Sequence, residues 1–173
     1  MRSVSTIPAS SFDDHIQSSD EIIEMSQRQQ LGTLLEEFIN RIAHPRGEAL
    51  TLMMEKSITT AQVVLLVLAQ KYPNSRHAEL ANAMRISPSS ASQMIERLVK
   101  IGFLTRRENL HDRRAKTLTV APKGLAFLKR LQAVRSKEFA TGTEALSSAT
   151  REQLIHVITQ CLMELPERTM RHQ

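Results

Sequence analysis

Apolar positions along this chain fall mostly at helical spacing. In SDEIIEMSQRQQLGTLLEEFINRIAH they occupy 22, 23, 31, 34, 35, 38, 39 and 42, one stripe with a weak turn at residues 26–30. Ser19 stands where it can cap that helix. Asp20, Glu21 and Glu24 lie in its first turns, near the positive end of the helix dipole. His44-Pro45-Arg46-Gly47 ends it. Before Ser19 the chain is polar and Ser-rich, which predicts a flexible arm over residues 1–18. Residues 48–56 fit either a short helix or a loop. Next, Thr59 or Thr60 caps a helix whose middle, residues 63–69, is apolar nearly all round; such a helix is expected at the centre of a domain.

After the break at Pro73-Asn74, the pattern shortens. Ser75 is the expected cap of a helix over 76–84, and Arg85-Ile86 make a turn. Ser87 caps the next helix, and Pro88 takes its first position, where a missing N–H costs nothing. That helix runs to about residue 101, where Gly102 supplies a left-handed stop. Two segments of β character follow, FLTRRE and AKTLTV, around the polar tip NLHDRR. Pro122 opens a long helix to about residue 139. A last helix over 150–165 carries Leu154, Ile155, Ile158, Cys161, Leu162 and Leu165 on one stripe. The fold class is therefore mainly α with a small β-hairpin. Its expected divisions are the arm at 1–18, a first helix and connector at 19–58, a compact lobe at 59–124 and terminal helices at 125–173.

The lobe has the order helix, helix, tight turn, helix, hairpin. Two short helices joined by such a turn form a helix-turn-helix, whose second helix fits a DNA major groove. Leu80, Ala83, Met84, Ile86, Ala91, Met94, Ile95 and Leu98 are spaced to share a small core, and Ala81 is small where the helices must approach. The other face of the second helix presents Ser87, Ser89, Ser90, Ser92, Gln93 and Arg97. Its hydroxyl-rich first turn lets backbone approach a phosphate or a base edge, and Gln can bridge adenine. The hairpin is then a wing, with its tip over the adjacent minor groove, a narrow negative slot that suits arginine.

Charge sharpens this picture. Residues 71–130 hold 13 basic and 4 acidic side chains, while residues 1–70 hold 5 basic and 9 acidic. A block so basic attracts polyanions through counterion release. Arg76, His77, Lys100 and Arg106 are candidate phosphate contacts. Arg97 and Arg106 have the alternative of structural ion pairs with Glu96, Glu108 or Asp112.

The segment IGFLTRRENLHDRRAKTLTVAPKG resembles the wing of the MarR (multiple-antibiotic-resistance) family of regulators. The elements that carry the resemblance are Arg97-Leu98, Gly102-Phe103-Leu104, Arg106, Asp112-Arg113-Arg114 and Pro122-Lys123-Gly124. It extends over about residues 20–165 and is specific within 75–124. It implies a triangular α/β fold and a cytoplasmic homodimer on a pseudo-palindromic operator, with a small-molecule effector pocket between dimer helices and DNA lobe. It also implies that Arg114 enters the minor groove while Asp112 orients the wing; Arg113 and Lys116 are candidates for phosphate. Two positions depart from the family pattern. Ala91 stands where Val is common, and Ala121 replaces a Thr before Pro-Lys-Gly. Losing an N-cap side chain costs about 1 kcal/mol, which predicts a looser helix start there.

The remaining composition excludes other classes. Aromatics make up 3% of the chain, few for a protein that stacks RNA bases. There is no Gly-rich phosphate loop, no His-Glu-x-x-His and no nucleophile elbow, so neither an enzyme nor a cofactor is expected. Cys161, the single cysteine, fits a reducing cytoplasm and a place in the core. The six histidines show no close metal-ligand spacing. No apolar run approaches the roughly 18 residues that span a bilayer. The expected partners are double-stranded DNA, a second copy of the chain and an effector. The first and last helices carry stripes that a small lobe leaves uncovered, and these would meet their mates from the second copy. The alternatives are a winged-helix protein-interaction module, which needs no basic block, and a redox- or metal-responsive regulator.

Overall fold

The computed structural model describes residues 10–43, 47–108 and 116–166, with side chains for 23–43, 47–107 and 117–166. Two compact units divide the chain, Met1–His44 and Pro45–Gln173.

The first unit contains helix α1 (Ser10–Ile42). It begins nine residues before Ser19, so residues 10–18, within the segment expected as an arm, are helical. No Gly or Pro interrupts the chain between Pro8 and Gly32. Glu24–Arg28 and Glu37–Arg41 bridge successive turns. Leu31, Leu34, Leu35 and Ile39 are exposed along α1.

The second unit opens with α2 (Glu48–Glu55) and α3 (Thr60–Lys71), which meet at 86°. Thr59 caps α3 reciprocally: its Oγ1 accepts from Gln62 N at 3.3 Å, and Gln62 Oε1 accepts from Thr59 N at 2.9 Å. Leu65, Leu66 and Ala69 are buried, but Val64 and Val67 remain 46% and 47% exposed. Within this unit, among the described residues, the helix is therefore enclosed on the side of Leu65, Leu66 and Ala69. Its neighbours α4 (His77–Met84), α5 (Pro88–Lys100), α6 (Pro122–Gly142) and the strand β3 (Lys116–Val120) all pack on the face of Leu65, Leu66 and Ala69.

Three antiparallel strands lie in the order β1-β3-β2, with β1 Ser75–Arg76 and β2 Leu104–Glu108. The short β1 has no sequence signal of its own; it exists because Ser75 and Arg76 lie beside Leu118 and Thr117. Ser75 is consequently a buried strand residue, not a helix cap, and its hydroxyl donates to Tyr72 O at 2.6 Å. Helix α4 starts instead at Arg76, whose backbone N–H reaches Glu79 Oε2 at 2.8 Å. The core joins Leu80, Ile95 and Leu98 to Phe103, Leu104, Leu118 and Phe127. Ala83, expected in that core, is exposed.

At the start of α6, Ala121 offers no side-chain cap, as its identity requires. The helix start is nevertheless held. Ala121 N donates to Phe103 O at 2.9 Å, and Lys123 Nζ donates to Ile101 O at 2.8 Å. Further along α6, Glu138 Oε1 accepts the N–H of Ala49 at 2.9 Å, a carboxylate at the positive end of α2. Helix α7 (Ser148–Glu164) buries none of its side chains. Cys161, expected in the core, is exposed, as are Ile155, Ile158, Leu162 and Leu165 of its stripe. No single helix among the described residues is long and apolar enough to cross a membrane.

Candidate nucleic-acid interface

Helices α4 and α5 are joined by a turn of three residues. Arg85 sits in the left-handed region (φ 53°), its N–H bonds to Asn82 O at 3.0 Å, and Ile86 N reaches back to Ala81 O at 3.1 Å. The last bond spans six residues, as in a Schellman stop, where glycine is the usual occupant. A side chain there carries a conformational cost. Arg85→Gly is expected to stabilise the fold by about 1 kcal/mol, read as a rise in thermal midpoint at fixed protein concentration. An unchanged or lower midpoint would mean that contacts of the arginine outweigh the strain.

Ser87 begins α5 as the pattern requires. Its Oγ accepts from Ser90 N at 3.2 Å and lies 2.9 Å from the hydroxyls of both Ser89 and Ser90. Ser87 is thus committed to the cap, while Ser89 and Ser90 are exposed at a positive helix end. Gln93, Glu96 and Lys100 continue the exposed face; Ser92 and Arg97 are half-buried at its margins. Ala91, Ile95 and Leu98 bury the opposite face. The small Ala91 is fully enclosed, so the usual valine is not needed to close that contact.

At its far end α5 stops at Ile101, and Gly102 takes φ 77°. The Lys123 ammonium sits on Ile101 O and 5.8 Å from the Phe103 ring centroid. A cation at this negative helix end is favourable, and it ties α5 to α6. Lys123 was legible only as part of Pro-Lys-Gly; the carbonyl it holds is distant in sequence. Gly124 is equally specific. A Cβ there would lie 2.4 Å from Phe103 O and 2.9 Å from Val120 Cγ1, so only glycine lets α6 approach the sheet.

The wing strands pair Leu104 with Val120, Arg106 with Leu118 and Glu108 with Lys116. Arg106 lies on the same face as Leu104 and approaches Glu96 of α5 at 3.9 Å, one of the ion pairs the sequence allowed. Both groups are too exposed for this pair to hold the fold. Arg76 is exposed at the start of α4; His77 is half-buried, with its Nε2 enclosed by protein. Lys116 is the first residue of β3, and its side chain lies outside the described set. Asp112, Arg113 and Arg114 also fall outside the described residues. Arg107 was missed by the sequence reading. Strand alternation puts it on the face opposite Arg106, a placement that needs the register to be known. Among the described residues no group of three or more His, Cys, Asp or Glu could hold a metal ion.

Comparisons with known proteins agree with this architecture. The model of the MarR family matches residues 58–116. The HTH-type transcriptional repressor MdtR of Bacillus subtilis is 30% identical over 109 residues, 59% of this chain and 70% of that protein. Among solved structures, transcriptional regulator Tm0710 of Thermotoga maritima superposes with a TM-score of 0.67 at 22% identity, covering 79% of this chain and 95% of that one. A point mutant of S. aureus MepR, bound to an oligodeoxyribonucleotide, superposes with a TM-score of 0.55 at 16% identity, covering 81% of this chain and 98% of that one. With its helix-turn-helix, its wing and its likeness to MdtR, the chain belongs to the MarR family of winged-helix, DNA-binding transcription regulators.

Proposed function

We propose that the protein is a repressor that binds a pseudo-palindromic operator as a homodimer and is released by a small-molecule effector. One observation carries the DNA reading: the capped α5 presents Ser89, Ser90, Gln93 and Lys100 to solvent from the most basic segment of the chain. Gln93 and the serines can read base edges, while Arg76, Lys100 and Arg106 supply phosphate contacts. A protein-interaction module needs no such charge. The exposed stripes of α1 and α7 support self-association, with the helices of 19–58 and 125–173 as dimer elements around the DNA-binding lobe of 59–124. That MdtR is a repressor supports the sign of regulation. The effector rests on resemblance to the family.

Selection of bound fragments from a random DNA library tests this reading. The expected result is one palindromic motif with half-sites about one turn, roughly 10 bp, apart. No enrichment of any motif would sink it.

The wing assignment has its own test. Arg114→Ala should weaken operator binding by about 10- to 100-fold, the worth of roughly 1–3 kcal/mol for one specific contact, while leaving the dimer intact in sedimentation. An unchanged gel shift on operator DNA would remove Arg114 from the interface.

A further inference from the structure

Sheet register brings two arginines together that are far apart in sequence. Arg76 pairs with Thr117 across β1 and β3, and Thr117 pairs with Arg107 across β3 and β2. The three residues therefore form one row across the sheet. Residues directly opposite share a face, so Arg76 and Arg107 flank Thr117 on the same side. Their Cα atoms are two strand spacings, or roughly 10 Å, apart. Both arginines are exposed, whereas Thr117 between them is 6% exposed. The Thr105 and Thr119 hydroxyls, 2.8 Å from each other, extend the same face. Leu104, Arg106 and Leu118 occupy the other face, turned toward α5 and the core. Among the described residues neither Arg76 nor Arg107 forms an ion pair, whereas Arg106 is drawn toward Glu96. The Glu79 carboxylate accepts the backbone N–H of Arg76.

We propose that Arg76 and Arg107 grip the DNA backbone on the side of the wing turned away from the recognition helix. The proposal rests on the operator reading above. A two-stranded ribbon whose tip enters a groove about 6 Å wide has one face toward each phosphate wall. The Arg106 face looks toward the helix and the major groove it occupies. The Arg76–Arg107 face looks toward the opposite strand, outside the half-site. Arginine suits this task because its planar fork takes a phosphate bidentately. The contact reads no base; it extends the footprint outward and sets the position of the wing. Consecutive arginines at 106 and 107 thus serve two different strands, because strand alternation sends them to opposite faces.

The test uses the full-length protein, the selected operator with long flanks, and the same operator trimmed to its palindrome. Affinity is measured against salt for the wild type, Arg76→Ala, Arg107→Ala and the double variant. Arg130→Ala, which removes an exposed charge on α6, serves as control. Removing one arginine–phosphate pair should flatten the slope of log affinity against log salt by about 0.9. A dimer carries two copies, so each single variant should flatten it by about 1.8 on the long operator, and the control should leave it unchanged. Hydroxyl-radical protection should disappear at the outer flanks, and wild type and double variant should bind the trimmed operator alike. Unchanged slope and flank protection in the double variant would overturn the proposal, as would equal flattening by Arg130→Ala. Failure of the operator reading itself looks different, since the wild type would then show no site-specific protection.

Discussion

Gly124→Ala should destabilise the protein by about 2–3 kcal/mol, although alanine is the better helix former. The exchange gains up to about 1 kcal/mol in helix propensity. Against this stands a Cβ placed 2.4 Å from Phe103 O and 3.1 Å from Phe103 C, both backbone atoms. Phe103 O has little freedom to retreat, because it accepts Ala121 N at 2.9 Å while its own ring stacks on Phe127 at a centroid distance of 4.8 Å. Overpacking of this kind costs typically about 1–3 kcal/mol, and more where backbone is the obstacle. The measurement is a denaturant or thermal midpoint at fixed protein concentration, where roughly 5–10 °C should be lost. Operator affinity should fall as well, since Phe103 leads directly into the wing strand. A neutral or stabilising outcome would show that α6 can draw back from the sheet at no cost.

Ile158→Glu with Leu162→Glu should convert the protein to a monomer and weaken operator binding at least 100-fold. These side chains are 49% and 70% exposed on α7, so the substitutions leave the interior of the protomer untouched. In the proposed dimer they are buried. Each large aliphatic side chain removed from water contributes about 1.5–3 kcal/mol, and an ionised carboxylate in its place adds a desolvation penalty. A dimer binds its second half-site intramolecularly, an advantage of about 10²–10⁴ that a monomer forfeits. Sedimentation equilibrium at micromolar concentration and a gel shift on the same samples are the measurements. A variant that remains dimeric with unchanged affinity would place the dimer interface elsewhere.

Local sequence signals were most reliable where neighbouring residues settle the conformation. A threonine at 59 or 60, Ser87 with Pro88, and Gly102 each act within a turn of chain; Thr59, Ser87 and Gly102 sit in the structure where their chemistry requires. The paired strands of the wing were equally legible, because turn-forming residues separate two β-prone runs. The errors share another origin. Ser75 reads as a cap, but the β3 backbone claims it as a strand residue. Val64 and Val67 read as core, yet both are exposed on α3. Cys161 reads as a core residue, yet it is exposed. Each depends on a neighbour distant in sequence or absent from the chain.

For the candidate interface the same division holds. Composition and spacing alone determined the helix-turn-helix, the wing and the concentration of positive charge in one segment, because caps, helical periodicity and charge are properties of contiguous residues. Tertiary structure decided the rest: that Lys123 holds the end of the recognition helix, that Gly124 lets α6 meet the sheet, and that Arg76 and Arg107 share a face. Those facts depend on strand register and helix approach. Both are set by how buried surfaces fit together, and no stretch of neighbouring residues encodes that fit.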